Sequence, residues 1–173
     1  MSTQAFQETP TGEQAISTLI NQLAVMPDLL EDLVASIPPE VIEFRRIPSR
    51  WSIHENVCHL AETQDMIYDR LVTFKNADYP FFEPFLPGET NSEEHLKDMN
   101  LIKCLRHFRK VRARQIELAK TFKPEDWYKK ASHPQYKQYD TKILLRHILM
   151  HDHFHMYRVE ELWLTHERFL PRK

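Results

Sequence analysis

Leu145-Arg146-His147-Ile148-Leu149-Met150-His151-Asp152-His153-Phe154-His155-Met156 places four histidines within nine residues near the end of the chain. His151 and His155 stand i, i+4 inside a strongly helical pattern. That spacing stacks two imidazoles on one face, close enough to grip a single metal ion. The core-facing stripe reads Leu144, Ile148, His151, His155, Val159 and Leu162, so the pair occupies positions a bundle ordinarily fills with leucine. Each imidazole in a core needs a partner, because a buried unpaired polar group costs about 1–3 kcal/mol. One divalent ion accepts a lone pair from both. The plainer reading is a chance i, i+4 pair of hydrogen-bonded core residues in a chain with 10 histidines.

His147 extends the ladder to i+8, but its ends are about 12 Å apart along the axis, too far for one ion. It lies about 80° from His155, nearer the edge of the stripe, and His153 points to the surface. A third ligand must therefore come from another segment. The best candidate is His59, in Trp51-Ser-Ile-His-Glu-Asn-Val-Cys-His59-Leu60. Helical phase puts His59 at the margin of its own stripe, beside Thr63 and Met66, which neither demands nor forbids entry into the core. His54 falls in the first turn and reads as solvated.

The 173 residues suit one domain, 1–173, with a sizeable core. A formal charge of -2 predicts no nucleic-acid footprint. No apolar run approaches the roughly 20 residues needed to cross a bilayer. The first residues show neither a basic nor an apolar leader region, so a cytoplasmic location is expected. Cys58 and Cys104 are the only cysteines and read as inert reduced thiols. With 2 glycines in the whole chain, the phosphate-cradling and dinucleotide-binding glycine motifs are excluded, and a sheet protein is disfavoured.

Four long segments carry helical periodicity. The first runs from about Gly12 to Ser36, with a kink or break expected at Pro27, and Pro38-Pro39 closes it. The second opens on the capping box Ser52-Ile-His-Glu55 and ends near Asn76. The third is expected from Asn91 or Ser92, capped with Glu94, through Leu96, Met99 and Ile102 to about Phe122. The last is capped by Asp140 or Thr141 and reaches about Glu167. Four amphipathic helices with long connections between helices 2 and 3 and between 3 and 4 predict an all-α four-helix bundle. A connection of about fifteen residues would let helices 2 and 3 run parallel, and that topology stays open.

The run Trp51-Ser52-x-x-Glu55-x-x-x-His59-Leu60 resembles the start of the second helix in the DinB/YfiT-like superfamily, and His151-Asp152-x-x-His155 resembles its C-terminal motif. Thr141-x-x-x-Leu145-x-His147-Ile148 is similar to the stretch that opens that family's last helix. The resemblance implies an antiparallel-type four-helix bundle with one metal held by His59, His151 and His155. It further implies an open coordination position, as in catalytic rather than structural sites. Members of this superfamily include S-transferases and an isomerase that use bacillithiol or mycothiol, and proteins described as metal-dependent hydrolases. The expected cofactors are one divalent ion, zinc or nickel first with iron and manganese as further candidates, and a low-molecular-weight thiol.

The expected activity is metal-dependent S-transfer to or from a small molecule, or hydrolysis through an activated water. Glu62, three residues after His59, is a weak candidate proton carrier or acceptor facing the cavity. Asp152 is a candidate to orient an imidazole, and Arg70 a candidate to meet an anionic substrate. Each also reads as an ordinary surface charge. The rival functions are a non-enzymatic metal-binding or dimerising bundle, such as a sensor or stress protein, and a metal-free bundle. A homodimer is expected, and no nucleic-acid or membrane partner.

Overall fold

The computed structural model describes residues 12–84 and 94–170. Helix α1 (Gly12–Ala35) runs unbroken through Pro27. The buried Pro27 sits between Met26 and Leu30, also buried, and this packing holds the helical phase despite the missing N–H. A four-residue turn, α2 (Pro39–Ile42), follows Pro38 and was not foreseen. Helix α3 (Ile53–Asn76) opens on the expected capping box. Ser52 Oγ accepts from Glu55 N at 3.2 Å, and Glu55 Oε2 accepts from Ser52 N at 2.8 Å.

The third long helix begins later than its periodicity suggests. A short helix α4 (His95–Asp98) is separated from α5 (Leu101–Lys120) by Met99, whose backbone is extended. Asn100 caps α5 by accepting from Lys103 N at 3.0 Å. Its short amide satisfies an orphan N–H and fixes the start of the helix there, so Leu96 and Met99 belong to the approach. Asn91 and Ser92, the expected caps, lie outside the described residues. Helix α6 (Thr141–Leu164) is capped by Asp140, which accepts from Ile143 N at 2.7 Å. It stops short of Glu167 because Arg46 takes the carbonyls of Leu162 and Thr165, at 2.6 and 2.8 Å.

The four long helices form a bundle in which α5 and α6 each pack against both α1 and α3. Going around the bundle, the order is therefore α1, α5, α3, α6. Asp65 pairs with His107, Tyr68 with Arg114 and Lys75 with Thr121, so α3 and α5 run parallel. His59 meets His151 and Asn56 meets His155, so α3 and α6 are antiparallel. Glu31 on Arg109 makes α1 antiparallel to α5 where they cross, with Ile16 and Ile20 beside Ala119. The antiparallel layout implied by resemblance thus holds for two neighbouring pairs, and the other two pairs run parallel. The long connection after α3 returns the chain to the bundle end from which α3 started.

Among the described residues there are no strands, only isolated bridges at Phe81–Ser132 and Lys130–Asp140. The first ties the two long connections together: Phe82 N donates to Ser132 O at 3.0 Å, and Ser132 N to Pro80 O at 2.9 Å. This pairing holds His133, Tyr136 and Tyr139 of the second connection over one end of the α3–α6 groove. Ser52→Ala should destabilise the protein by about 1 kcal/mol in urea unfolding, since it removes the cap at the start of α3. An unchanged midpoint would show that the capping box carries no stability.

Candidate functional site

His59 projects from α3, and His151 and His155 from successive turns of α6. Their ligand atoms all lie within 4.8 Å of one another. His59 Nε2 is 3.2 Å from His151 Nε2. Two nitrogens bound at about 2.0–2.1 Å to one tetrahedral ion sit at a comparable separation. The triad is able to bind a metal ion.

The surroundings fix which nitrogen faces inward. Asn56 Nδ2 donates to Ser52 O at 2.8 Å, which leaves its Oδ1 as acceptor. That oxygen lies 2.9 Å from His155 Nδ1, so the ring carries its hydrogen there and keeps a lone pair on Nε2. The Nδ1 side of His59 faces the Glu62 carboxylate, 3.7 Å away. Trp51 packs on both rings, with centroids 4.8 Å from His59 and 6.0 Å from His155.

Burial holds all three imidazoles neutral. It pushes His59 down to about 3, with His151 and His95 adding to the effect. His151 is pushed down to about 4 by burial and the Arg112 guanidinium. Burial, the other two rings of the triad and Arg158 bring His155 to about 3. Neutral rings offer lone pairs without first losing a proton.

The candidates from sequence have mixed outcomes. Glu62 stands behind His59 and binds His95 Nε2 of α4 at 2.6 Å, and it is not among the residues lining the cavity. Asp152 is fully buried, and its partner is Arg112 of α5 at 2.8 Å rather than an imidazole or water. Burial pushes its carboxyl up to about 6 against the opposing pull of Arg112. Arg112 in turn donates to Gln64 Oε1 at 3.2 Å, and Gln115 to Gln64 O at 2.9 Å. This network escaped the sequence reading. Its signal was a charge, Arg112, in phase with Phe108, Gln115 and Ala119 on the buried face of α5.

His54 is buried, its Nε2 3.1 Å from Leu96 O, so its expected solvation is overturned by the chain segment that packs over the start of α3. His153 is exposed, as expected. Cys58 and Cys104 are both buried and hydrogen-bonded to each other across α3 and α5.

A cavity of about 500 Å³ opens beside the triad. The triad and Trp51 line one part of it, Met66, Ile67, Leu144 and Ile148 line its apolar stretch, and Arg70, His133, Tyr136 and Tyr139 also border it. The size suits a small molecule. No aspartate or glutamate among the described residues lines it.

The sequence pattern of the DinB superfamily matches residues 22–158. The chain belongs to the DinB superfamily. The solved structure of YfiT from Bacillus subtilis, described as a probable metal-dependent hydrolase with an unusual four-helix bundle topology, superposes with a TM-score of 0.79. The two are 18% identical, with 94% of this chain and 93% of that one covered, a likeness that shows the shared bundle fold. No curated protein matches the chain.

The neutral triad also links stability to pH. In the unfolded chain these histidines titrate near about 6.5 and take up protons that the folded, metal-free protein refuses until about pH 3–4. Their contribution is complete above the unfolded value and is lost as pH falls toward the folded ones. The melting temperature of metal-free protein should drop between about pH 6.5 and 4, and drop less steeply in His155→Gln. Parallel curves for the two proteins would contradict the assignment of buried neutral rings.

Proposed function

We propose that this chain is a divalent-metal-dependent enzyme in which His59, His151 and His155 hold one ion, its open side toward the cavity. The reading rests on one observation above others: three neutral nitrogens from two helices converge beside a cavity sized for a small molecule. An ion held by neutral ligands keeps its double charge and lowers the pKa of a thiol or a water that reaches it. Zinc and nickel suit imidazole ligands first, with iron and manganese also compatible.

Between the two chemistries, S-transfer with a low-molecular-weight thiol is favoured. A thiol has one proton to lose and is then a competent nucleophile. Hydrolysis asks for a base beside the activated water, and no carboxylate among the described residues lines the cavity. Glu62, placed behind His59, serves as a positioning group in this reading. Hydrolysis is the second reading, supported by the description of YfiT as a probable metal-dependent hydrolase. A non-catalytic metal-binding bundle is the third, and turnover separates it from the others.

Metal content of untagged protein, beside His59→Ala and His155→Ala, tests the site. About one ion per chain is expected in the wild type, with most of it lost in each variant and the fold kept; retention in either removes that residue from the triad. Turnover of a thiol with a chlorodinitrobenzene-type electrophile should require the metal. Silence across thiols and esters with metal bound would favour the binding module.

The proposal extends to a cytoplasmic homodimer. No helix among the described residues is long and apolar enough to cross a membrane. Helix α6 exposes Met150, Phe154, Tyr157 and Leu164 along one side, a face suited to pairing. Sedimentation should give a dimer that Tyr157→Glu weakens, whereas a monomeric wild type would dismiss it.

A further inference from the structure

We propose that the part of the cavity bordered by Arg70, His133 and Tyr139 is a carboxylate subsite, so that the substrate is an extended small molecule with a terminal carboxylate. This rests on the reading of the cavity as the substrate site. It adds a second, separate point of recognition.

Arg70 is the only arginine or lysine among the described residues lining the cavity. It stands eleven residues after His59 on the same helix, about 16 Å along the axis. One Nη2 bond to Glu83 O at 2.6 Å and a position 5.5 Å over the Phe82 ring hold the guanidinium in place. Arg70 is also hydrogen-bonded to the Tyr139 hydroxyl. A guanidinium has only donors, so the hydroxyl is the acceptor there and its own hydrogen is left to donate.

His133 adds a donor of known tautomer. Its Nδ1 accepts from Gln135 N at 3.2 Å, so the hydrogen of the neutral ring is on Nε2. Burial, with Arg70 nearby, lowers the pKa of His133 and keeps it neutral. Tyr136 and Tyr139 pack against this ring at 4.6 and 5.0 Å and limit its rotation.

The site thus offers one positive charge and several neutral donors, with no carboxylate lining to compete. One positive charge balances a carboxylate, whereas a phosphate dianion would leave charge uncompensated. Between this subsite and the triad the lining is mostly apolar, through Met66, Ile67, Leu144 and Ile148, with Thr63 and His147 as its polar members. The ligand that fits carries a reactive group at one end, a short apolar body and a carboxylate at the other.

The test uses hexanoate, 1-hexanol and hexyl phosphate on the full chain stripped of metal, which removes carboxylate binding to an ion. Trp51 lines the cavity and its fluorescence, checked by calorimetry, reports occupancy. Hexanoate is expected to bind at least about tenfold more tightly than hexanol, the range of one charge-assisted hydrogen bond. Arg70→Gln should abolish the preference, and Arg70→Lys, which keeps the charge without the fork, should retain part of it. Equal binding of hexanoate and hexanol, or a preference that survives Arg70→Gln, overturns the subsite. Tighter binding of hexyl phosphate than of hexanoate overturns the choice of carboxylate. Metal uptake by the same wild-type and Arg70→Gln preparations is measured separately and should be equal. Loss of uptake in both would refute the triad, and equal uptake with no hexanoate preference would refute the subsite alone.

Discussion

The first turns of α3, packed against the middle turns of α6, are what the site depends on. From Ser52 to Ala61 every residue is buried, although the segment includes Ser52, His54, Glu55, Asn56 and His59. An apolar helix would fill that space at less risk, since a half-satisfied polar network is worse than a hydrophobic core. Here most of the polar groups find partners: Glu55 takes Arg45 and the Ser52 N–H, Asn56 links Ser52 O to His155, and His54 reaches Leu96 O through Nε2. The result is a rigid frame that holds His59 3.2 Å from His151.

This burial explains what could be read in the sequence. His151 and His155 fell in the leucine phase of α6, and the structure puts them together on its core side. His59 could not be placed by periodicity, because a stripe has meaning only where one face is solvated. The start of α3 is enclosed on all sides, so the margin of its stripe is as deep as its centre. Only the resemblance of the Trp-Ser and His-Leu run to a known pattern pointed to it. The same enclosure defeated the reading of His54, whose position in a first turn suggested water.

Partners that come from far along the chain were hidden for a second reason. Asp152 looked like a helix-surface carboxylate because its burial is set by Arg112, forty residues upstream on another helix. Nothing local distinguishes such a pair from two solvated charges. The start of α5 was misplaced through competing caps: the periodicity through Leu96 and Met99 continued smoothly, but Asn100 satisfied the orphan N–H groups and ended it. The parallel course of α3 and α5 stayed open in the sequence, because the length of their connection permits either direction. Its pairing with the second connection at Phe81–Ser132 depends on loop backbones, and loops carry no period to read.

The charges around the triad bear on what it would accept. Three neutral imidazoles add nothing to the charge of an ion. The Arg112–Asp152 pair behind His151 is balanced within itself, and Glu62 is shared with His95. A dication would therefore keep most of its charge for the cavity side. At an effective dielectric of about 20, one unit pair about 4 Å apart is worth about 4 kcal/mol, while a neutral ligand gains only a dipole. In the proposed reading an anionic donor such as a thiolate would thereby be preferred at the open position. Arg70 would favour negative charge elsewhere along the same cavity, and the mostly apolar lining between them would disfavour it. With an ion bound, selectivity would then follow from the spacing of two positive sites along α3 rather than from the shape of either.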